Sequence, residues 1–208
     1  MHHQIKPYFL AVLLCFSHTA FSKDYIIEMI FFANTKTSAD TVHISDQAVV
    51  PNLSGSISFD QGQSNGFVPL SPETFSLTGK ADALNKSGKY KVLKHMAWLQ
   101  PGLAKEDAIA VHVYAGKDYK NEFNERSFSN QPVYELDGTV KIILGRYLHL
   151  YTDLVYRKIF SINSSDALGR NHILADFTIK THRKMRSSTL HYIDHPLLGI
   201  LIEIRPAE

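Results

Sequence analysis

Residues 172–205 read HILADFTIKTHRKMRSSTLHYIDHPLLGILIEIR, and apolar side chains alternate with polar ones in both the first and the last part of this stretch. Alternation with a period of two is typical of a strand that buries one face. We therefore expect two antiparallel strands, joined by a polar, histidine-rich connection over residues 187–196. Their inward faces should share one core, because a slip of one residue would turn a whole apolar face toward water. The inward side chains are those of Ile173, Ala175, Phe177 and Ile179, followed by those of Leu198, Ile200, Ile202 and Ile204.

Four segments closer to the N-terminus also have the pattern of strands. Residues 24–33 are apolar on both faces except at Glu28, which indicates a strand in the middle of a sheet, covered on both sides. The other three are residues 90–99, 108–115 and 139–151, and the last of these could continue to residue 159. We place Tyr90, Val92, Met96 and Trp98 on one inward face, and Val140, Ile142, Leu144, Leu148 and Leu150 on another.

One helix is predicted, and it begins at Ser71. A serine N-cap followed by Pro72 at the first helical position is a typical helix start. Leu77, Ala81 and Leu84 then recur at helical spacing, and Gly88 is a plausible stop, which gives a helix of about 15 residues.

The order of elements predicts an α+β fold: a mostly antiparallel β-sheet with one main helix on one face. The first four elements also fit a ferredoxin-like βαββ start, by analogy alone. Polar stretches over residues 34–70, 116–132 and 161–171 are predicted loops, and the first is long enough to be either mobile or functional.

Residues 1–22 have the features of an export signal, with a short apolar run at residues 8–16 and small residues at Ala20 and Ser22. We expect cleavage after Ser22, and the alternative is an N-terminal anchor that stays in place. Residues 23–208 then form a single domain. The only cysteine, Cys15, would leave with the signal, so the mature chain has no disulfide and no thiolate site, which suits a bacterial periplasm.

The charge balance and the motifs exclude several classes of function. Loss of Lys6 with the signal leaves 21 of the 22 basic residues against 20 acidic ones, and nucleic-acid binders usually have a strong basic excess. The sequence contains no G-x-S-x-G, S-x-x-K or H-E-x-x-H motif and no glycine-rich phosphate loop. We therefore expect neither a nucleic-acid binder nor a cofactor-dependent protein.

Three groups of side chains are candidate sites. The first is His191, Asp194 and His195, with His182 as a possible neighbour. Two histidines and a carboxylate could bind zinc and leave its fourth position to water. The alternative is structural, with Asp194 accepting hydrogen bonds and His195 helping to form the turn, because residues three and four apart share no face outside a helix.

The second candidate is a basic strip on the first C-terminal strand. It consists of Lys180, His182, Lys184 and Arg186, and no acidic residue occurs between positions 177 and 193. The strip could bind carboxylates of cell-wall peptides or an acidic protein surface. The alternative is an ordinary solvated face whose charges prevent edge-to-edge aggregation.

The third candidate is an aromatic stripe, Tyr147, His149 and Tyr151, on the outward side of residues 139–151. His112 and Tyr114 could join it if their strand is a neighbour. Aromatic rings of this kind can stack on sugar faces and offer a polar edge, but a second covering layer would make the same stripe part of the core.

Four segments resemble one known family. They are YIIEMIFFAN (25–34), GKYKVLKHMAWLQP (88–101), LDGTVKIILGRYLHLYTDL (136–154) and RKMRSSTLHYIDHPLLGILIEI (183–204), and the parts at 146–150 and 191–196 are the most specific. Together they resemble the CsiV family of periplasmic peptidoglycan-binding proteins from gammaproteobacteria. The family usually has arginine where this chain has Lys184 and often an acid where it has Thr189. A lysine there keeps the charge but not the two-pronged contact of a guanidinium group.

The resemblance implies a non-enzymatic scaffold that binds peptidoglycan. It also implies work with an outer-membrane lipoprotein that activates a class A penicillin-binding protein, without a cofactor. It supplies no binding residues, so the candidates above rest on the sequence pattern alone. The alternatives are a metal-dependent hydrolase of wall peptides built on His191, Asp194 and His195, and an adaptor whose affinity for the wall is indirect.

Overall fold

The computed structural model describes residues 23–37, 47–127, 130–161 and 169–207, apart from the side chain of Gln61. The predicted export signal, residues 1–22, lies outside them. The strands are β1 (Asp24–Asn34), β2 (Ser56–Ile57), β3 (Val68–Pro69), β4 (Tyr90–Pro101), β5 (Ala110–Asp118), β6 (Tyr134–Leu144), β7 (Leu148–Ser161), β8 (His172–Met185), β9 (His191–Ile193) and β10 (Leu198–Pro206). The helices are α1 (Thr78–Lys86) and short 3₁₀ turns at Phe59–Gln61, Pro72–Thr74 and Asn124–Arg126.

The strands form two five-stranded sheets, with the orders β3-β4-β1-β10-β9 and β2-β5-β6-β7-β8. All neighbouring strands are antiparallel except β2 and β5. Side chains from both sheets, such as Trp98 and Leu150, belong to the same main core. The predicted α+β class with mostly antiparallel pairing is confirmed, although the strands are shared between two sheets.

Strand β1 lies at the centre of the first sheet, between β4 and β10. Ile27, Met29 and Phe31 point into the main core, whereas Ile30 and Phe32 pack beneath α1 on the other side. All five side chains are buried, which confirms the prediction of a central strand covered on both faces.

The helix is shorter than predicted. The turn at Pro72–Thr74 follows Ser71, but the chain leaves the helical path before α1 begins at Thr78. The backbone amides of Ser76 and Leu77 donate instead to the buried carboxylate of Glu28, at 2.9 and 2.7 Å. A contact between residues so distant in sequence leaves no local signal, so helical spacing alone predicted one continuous helix.

The prediction that Tyr90, Val92, Met96 and Trp98 share one face is wrong. The β1–β4 register shifts opposite Phe31 and Phe32, because β4 carries a bulge at Leu93. An extra residue reverses the alternation of side chains. Met96 and Trp98 therefore lie in the main core, as expected for Trp98, while Tyr90 and Val92 pack toward α1.

The long strand predicted over residues 139–151 is a hairpin of β6 and β7. The chain reverses at Gly145–Tyr147, where the amide of Gly145 donates to the carbonyl of Tyr147 at 3.0 Å. Leu144 pairs with Leu148 across the turn. Even-numbered residues pair with even-numbered ones in this register, so the predicted inward face is correct although the connectivity is not.

The two C-terminal strands lie in different sheets. Strand β8 is the outermost strand of the second sheet, and β10 lies between β1 and β9 in the first. Residues 187–196 therefore cross from one sheet to the other and include β9, which pairs with β10. The predicted antiparallel partnership is wrong, but Ile179 and Ile200 do reach one shared core.

The ferredoxin-like start is also wrong. That arrangement leaves a gap between its first two strands, which a later strand fills. Here β4 pairs directly with β1, and β5 lies in the other sheet. The predicted loop over 34–70 contains β2 and β3, and the loop over 116–132 buries Tyr119 and Phe123 in a small cluster with Leu174. Residues 162–168 of the third predicted loop are outside the described residues.

Replacing Glu28 by alanine should lower the free energy of unfolding by about 3–5 kcal/mol. The Glu28 carboxylate is fully buried and also contacts His95 Nε2 at 2.8 Å and Arg205 Nη1 at 3.4 Å. Its removal leaves those groups and the amides of Ser76 and Leu77 without their acceptor. Urea denaturation measures the loss, and an unchanged midpoint would contradict the assignment.

The contribution of Glu28 should depend on pH. Burial alone would raise the pKa of Glu28, but hydrogen bonds from Ser76, Leu77 and His95 hold the pKa below its ordinary value of 4.5. Such a carboxylate adds stability above pH 4.5 that is lost as the pH falls through the folded-state pKa. The difference in unfolding free energy between the wild type and Glu28→Gln should therefore narrow in acid. Glu106→Gln, on an exposed turn, is the matched control and should show no such difference.

Candidate functional site

The predicted basic strip and aromatic stripe form one surface on the outer side of the second sheet. The β7–β8 register sets His149 opposite Lys184, Tyr151 opposite His182 and Asp153 opposite Lys180. On β6, Lys141 pairs with Tyr151 from the other side. We call this surface the lysine–aromatic face, formed by Lys141, Tyr147, His149, Tyr151, Lys180, His182 and Lys184.

Three rings meet at the centre of this face, where Tyr151 and His182 stack and His149 joins His182 edge to edge. The imidazole of His182 lies 4.2 Å from the ring of Tyr151, nearly parallel at 6°, and 5.1 Å from the imidazole of His149. Nδ1 of His149 and Nε2 of His182 are 2.9 Å apart, which makes a hydrogen bond. One of these two nitrogens must carry a proton and the other a lone pair. The stack therefore offers a flat aromatic surface with a polar edge.

The lysines surround this stack. Lys184 Nζ lies 3.2 Å from the centre of the Tyr147 ring, and Lys141 Nζ lies 6.0 Å from that of Tyr151. Lys180 Nζ is 3.3 Å from the carboxylate of Asp153. Among the described residues, no carboxylate forms a salt bridge with Lys141 or Lys184, so both charges are available to an anionic ligand.

The lysine–aromatic face is open because a loop covers only the other half of the sheet. The backbone of Val49 accepts a hydrogen bond from Arg157 at 2.9 Å and donates one to Asp176 at 2.8 Å. This contact buries both charged side chains. Asn52 and Ser54, further along the same loop, line the edge of a groove of about 520 Å³ that runs over Tyr151 and His182.

Arg186 and His191 extend the site around the end of β8. They line a second concavity, of about 540 Å³, together with Tyr147, Lys184 and Thr189. Nε2 of His191 lies 3.1 Å from the backbone nitrogen of Arg186, which holds the imidazole against the end of the strand. The guanidinium group of Arg186 is exposed.

His191, Asp194 and His195 do not form a metal site. Each has a different local partner: His191 contacts Arg186, Asp194 accepts from the hydroxyl of Tyr192 at 2.6 Å, and His195 Nδ1 accepts from the amide of Leu197 at 3.3 Å. His182 lies on the other sheet. Within the described part of the chain, no three His, Cys, Asp or Glu side chains are placed to bind a metal ion. The zinc interpretation is wrong because this segment is a strand and a turn, where such spacing does not bring side chains together.

Sequence reasoning missed Lys141, and it assigned His112 and Tyr114 to the wrong group of side chains. His112 and Tyr114 lie on the same outer side of the sheet, but β6 separates β5 from β7, so they do not join the aromatic stripe. They line a separate pocket with Asp60, Tyr134 and Asp137. The pairing of β5 with β6 brings His112, Tyr114, Tyr134 and Asp137 together, and Asp60 joins them by accepting a hydrogen bond from Tyr114. No spacing in the sequence indicates this grouping.

The fold and this surface define a small β-sandwich protein with an open face of lysine, histidine and tyrosine side chains. The chain belongs to the CsiV family: the family model described as "Peptidoglycan-binding protein, CsiV" matches residues 7–207. Searches of curated proteins and of solved structures gave no match. Membership confirms the resemblance, and it supports peptidoglycan binding and a place in the cell envelope.

The described residues contain no helix that is both long enough and apolar enough to cross a membrane.

His195→Ala should lower the free energy of unfolding by about 1 kcal/mol, because the amide of Leu197 loses its acceptor. Burial lowers the pKa of His195 below 6.5, although the nearby Asp194 partly opposes this. The neutral ring therefore adds stability above pH 6.5 that is lost as the pH falls through the folded-state pKa. Denaturation at a series of pH values should show the difference from wild type narrowing in acid. A difference that grows in acid would mean that the charged ring is the stabilising form.

Proposed function

We propose that this protein is a non-enzymatic scaffold of the periplasm that binds peptidoglycan through the lysine–aromatic face, extended by Arg186 and His191. The observation that carries the proposal is the overlap of two features that the sequence presents separately. Cations without acidic partners and stacked rings occupy one open surface.

The chemistry of the face fits the two components of the wall polymer. Wall peptides carry carboxylates, which lysine ammonium groups attract as point charges without demanding one geometry. Sugar rings present apolar faces that stack on aromatic side chains, while hydroxyls can bond to ring nitrogens. A face with Lys184 and Tyr147 side by side can contact both components at once.

Binding without cleavage is part of the proposal. The family is described by what it binds, and the histidines of this face are engaged with each other or with backbone. Asp194 and His195 have local roles and are not part of the proposed contact surface.

The cellular setting rests on the sequence and on the family. We propose that residues 1–22 direct export and are removed after Ser22, and that residues 23–208 act as one domain. We further propose that the protein assists a class A penicillin-binding protein through its outer-membrane lipoprotein activator. Binding of the purified protein to that lipoprotein, measured with and without wall fragments, tests this partnership.

The triple variant Lys180→Ala, Lys184→Ala and Arg186→Ala should bind purified sacculi about tenfold more weakly than the wild type, and the loss should be largest at low salt. Three positive charges leave the proposed contact surface while the buried core stays intact. Co-sedimentation with sacculi at several salt concentrations measures the effect, and analysis of the supernatant shows whether muropeptides are released.

The matched control replaces Lys80, Lys86 and Lys89 by alanine; these three exposed lysines lie on or just after α1, which packs on the first sheet. It makes the same change in net charge and should bind as the wild type does. An equal loss of sacculus affinity in both variants would mean that net charge, and not this face, determines binding. Unchanged binding in both would remove the face from the proposal, and a wild type that binds no wall fragment would leave only indirect attachment through a partner.

A further inference from the structure

A second pocket, of about 380 Å³, lies over β5 and β6 on the outer side of the second sheet. We call it the tyrosine pocket. Its floor is formed by His112, Tyr114 and Asp137, and Tyr134 forms one wall. Its volume is within the range of about 300–1,000 Å³ that is usual for small-molecule sites.

The aromatic side of the tyrosine pocket is a stacked pair. The rings of Tyr114 and Tyr134 are 4.7 Å apart and inclined at 25°. The hydroxyl of Tyr114 donates to Asp60, which fixes the orientation of the pair. Rings held in this way present a rigid surface to a ligand.

The polar side contains a carboxylate oxygen that is not in use. Oδ1 of Asp137 lies 2.8 Å from Nε2 of His112, and the Asp137 side chain is only 10% exposed. Its second oxygen has no hydrogen-bond partner among the described residues. A nearly buried carboxylate with a free acceptor in a pocket wall is a position for a ligand's hydroxyl or amide group.

Charge favours an uncharged ligand. The guanidinium groups of Arg126 and Arg157 at the edge of the pocket already contact Asp176 and backbone carbonyls. They are therefore engaged and poorly placed to take an anion. Lys94 Nζ lies 5.1 Å from the centre of the Tyr114 ring, and this positive charge weakens the attraction of the pocket for a cation.

The opposite edge of the pocket is apolar and accessible. Val50 and Leu53, on the loop that covers part of the sheet, are 57% and 36% exposed and line the opening. A ligand with one apolar face, several hydroxyl donors and a substituent that ends in a methyl group matches this combination of walls. Those are the properties of an N-acetylated sugar ring.

We propose that the tyrosine pocket binds an uncharged, N-acetylated sugar ring of the wall glycan, at a site separate from the lysine–aromatic face. The inference rests on the proposed function and assigns the two components of the wall to two surfaces. The lysines attract the acidic peptides, and the tyrosine pocket binds the glycan. In the bound state a hydroxyl of the sugar donates to the free oxygen of Asp137, and the ring lies against the tyrosine pair.

Titration of the protein with the neutral trimer of N-acetylglucosamine tests this site. Isothermal calorimetry should detect binding to the wild type, and Asp137→Asn and Tyr134→Leu should each weaken it about tenfold. Asparagine keeps the acceptor for His112 and the shape of the side chain, so Asp137→Asn should fold normally. If Asp137→Asn is unstable, Tyr134→Leu still tests the site, because it removes the aromatic wall and leaves Asp137 in place.

Two controls separate this inference from the proposed function. Asp82→Asn, on an exposed position of α1, makes the same chemical change as Asp137→Asn and should bind the trimer normally. The triple lysine–arginine variant should also keep its affinity for the trimer while its affinity for sacculi falls.

The inference is overturned if the trimer does not bind the wild type while sacculi do, or if neither pocket variant changes its affinity. Displacement of the trimer by a short lysine-containing peptide would also overturn it and would assign the pocket to ammonium groups. Failure of sacculus binding with trimer affinity intact would instead count against the lysine–aromatic face.

Discussion

The carboxylate of Glu28 is the constraint on which the first sheet depends. Glu28 is a fully buried charged residue in the central strand β1, and it accepts hydrogen bonds from the segment before α1. His95 on β4 and Arg205 on β10, the two neighbours of β1, contact the same carboxylate. One side chain thus links three strands and the start of the helix. Buried charges are tolerated only when partners surround them, so the helix has one position on this sheet and covers its outer side.

The outer side of the second sheet is only partly covered, and this leaves room for the two proposed binding surfaces. No helix covers its outer side among the described residues, and the loop around Val49 closes only one half by holding Arg157 and Asp176. The open half carries the stacked rings of Tyr151 and His182 and the hydrogen-bonded imidazole of His149, with lysines around them. Polymers need long, accessible contact areas, and an uncovered sheet face supplies one on a rigid support.

The sequence predicted which side chains of a strand point inward better than it predicted how the strands connect and pair, and the reason is physical. Alternation is local, so the inward residues of β6, β7 and β10 were correctly identified, as was the family. The hairpin at Gly145, the bulge at Leu93 and the separation of β8 from β10 depend on long-range pairing that alternation does not contain. The same limit applies to the site. Its residues on β7 and β8 were each predicted as candidates. That they form one surface, and that Lys141 belongs to it, follows only from the pairing of β6, β7 and β8.

The position of β8 at the rim of its sheet has a consequence for crowding. An uncapped rim strand is a template on which a second molecule can add its own strand. Here that rim carries Lys180, Arg183 and Lys184, all exposed, so two such rims repel each other. Copies bound side by side on one polymer, as the proposed function implies, would therefore be kept apart by like charge and would stay separate molecules.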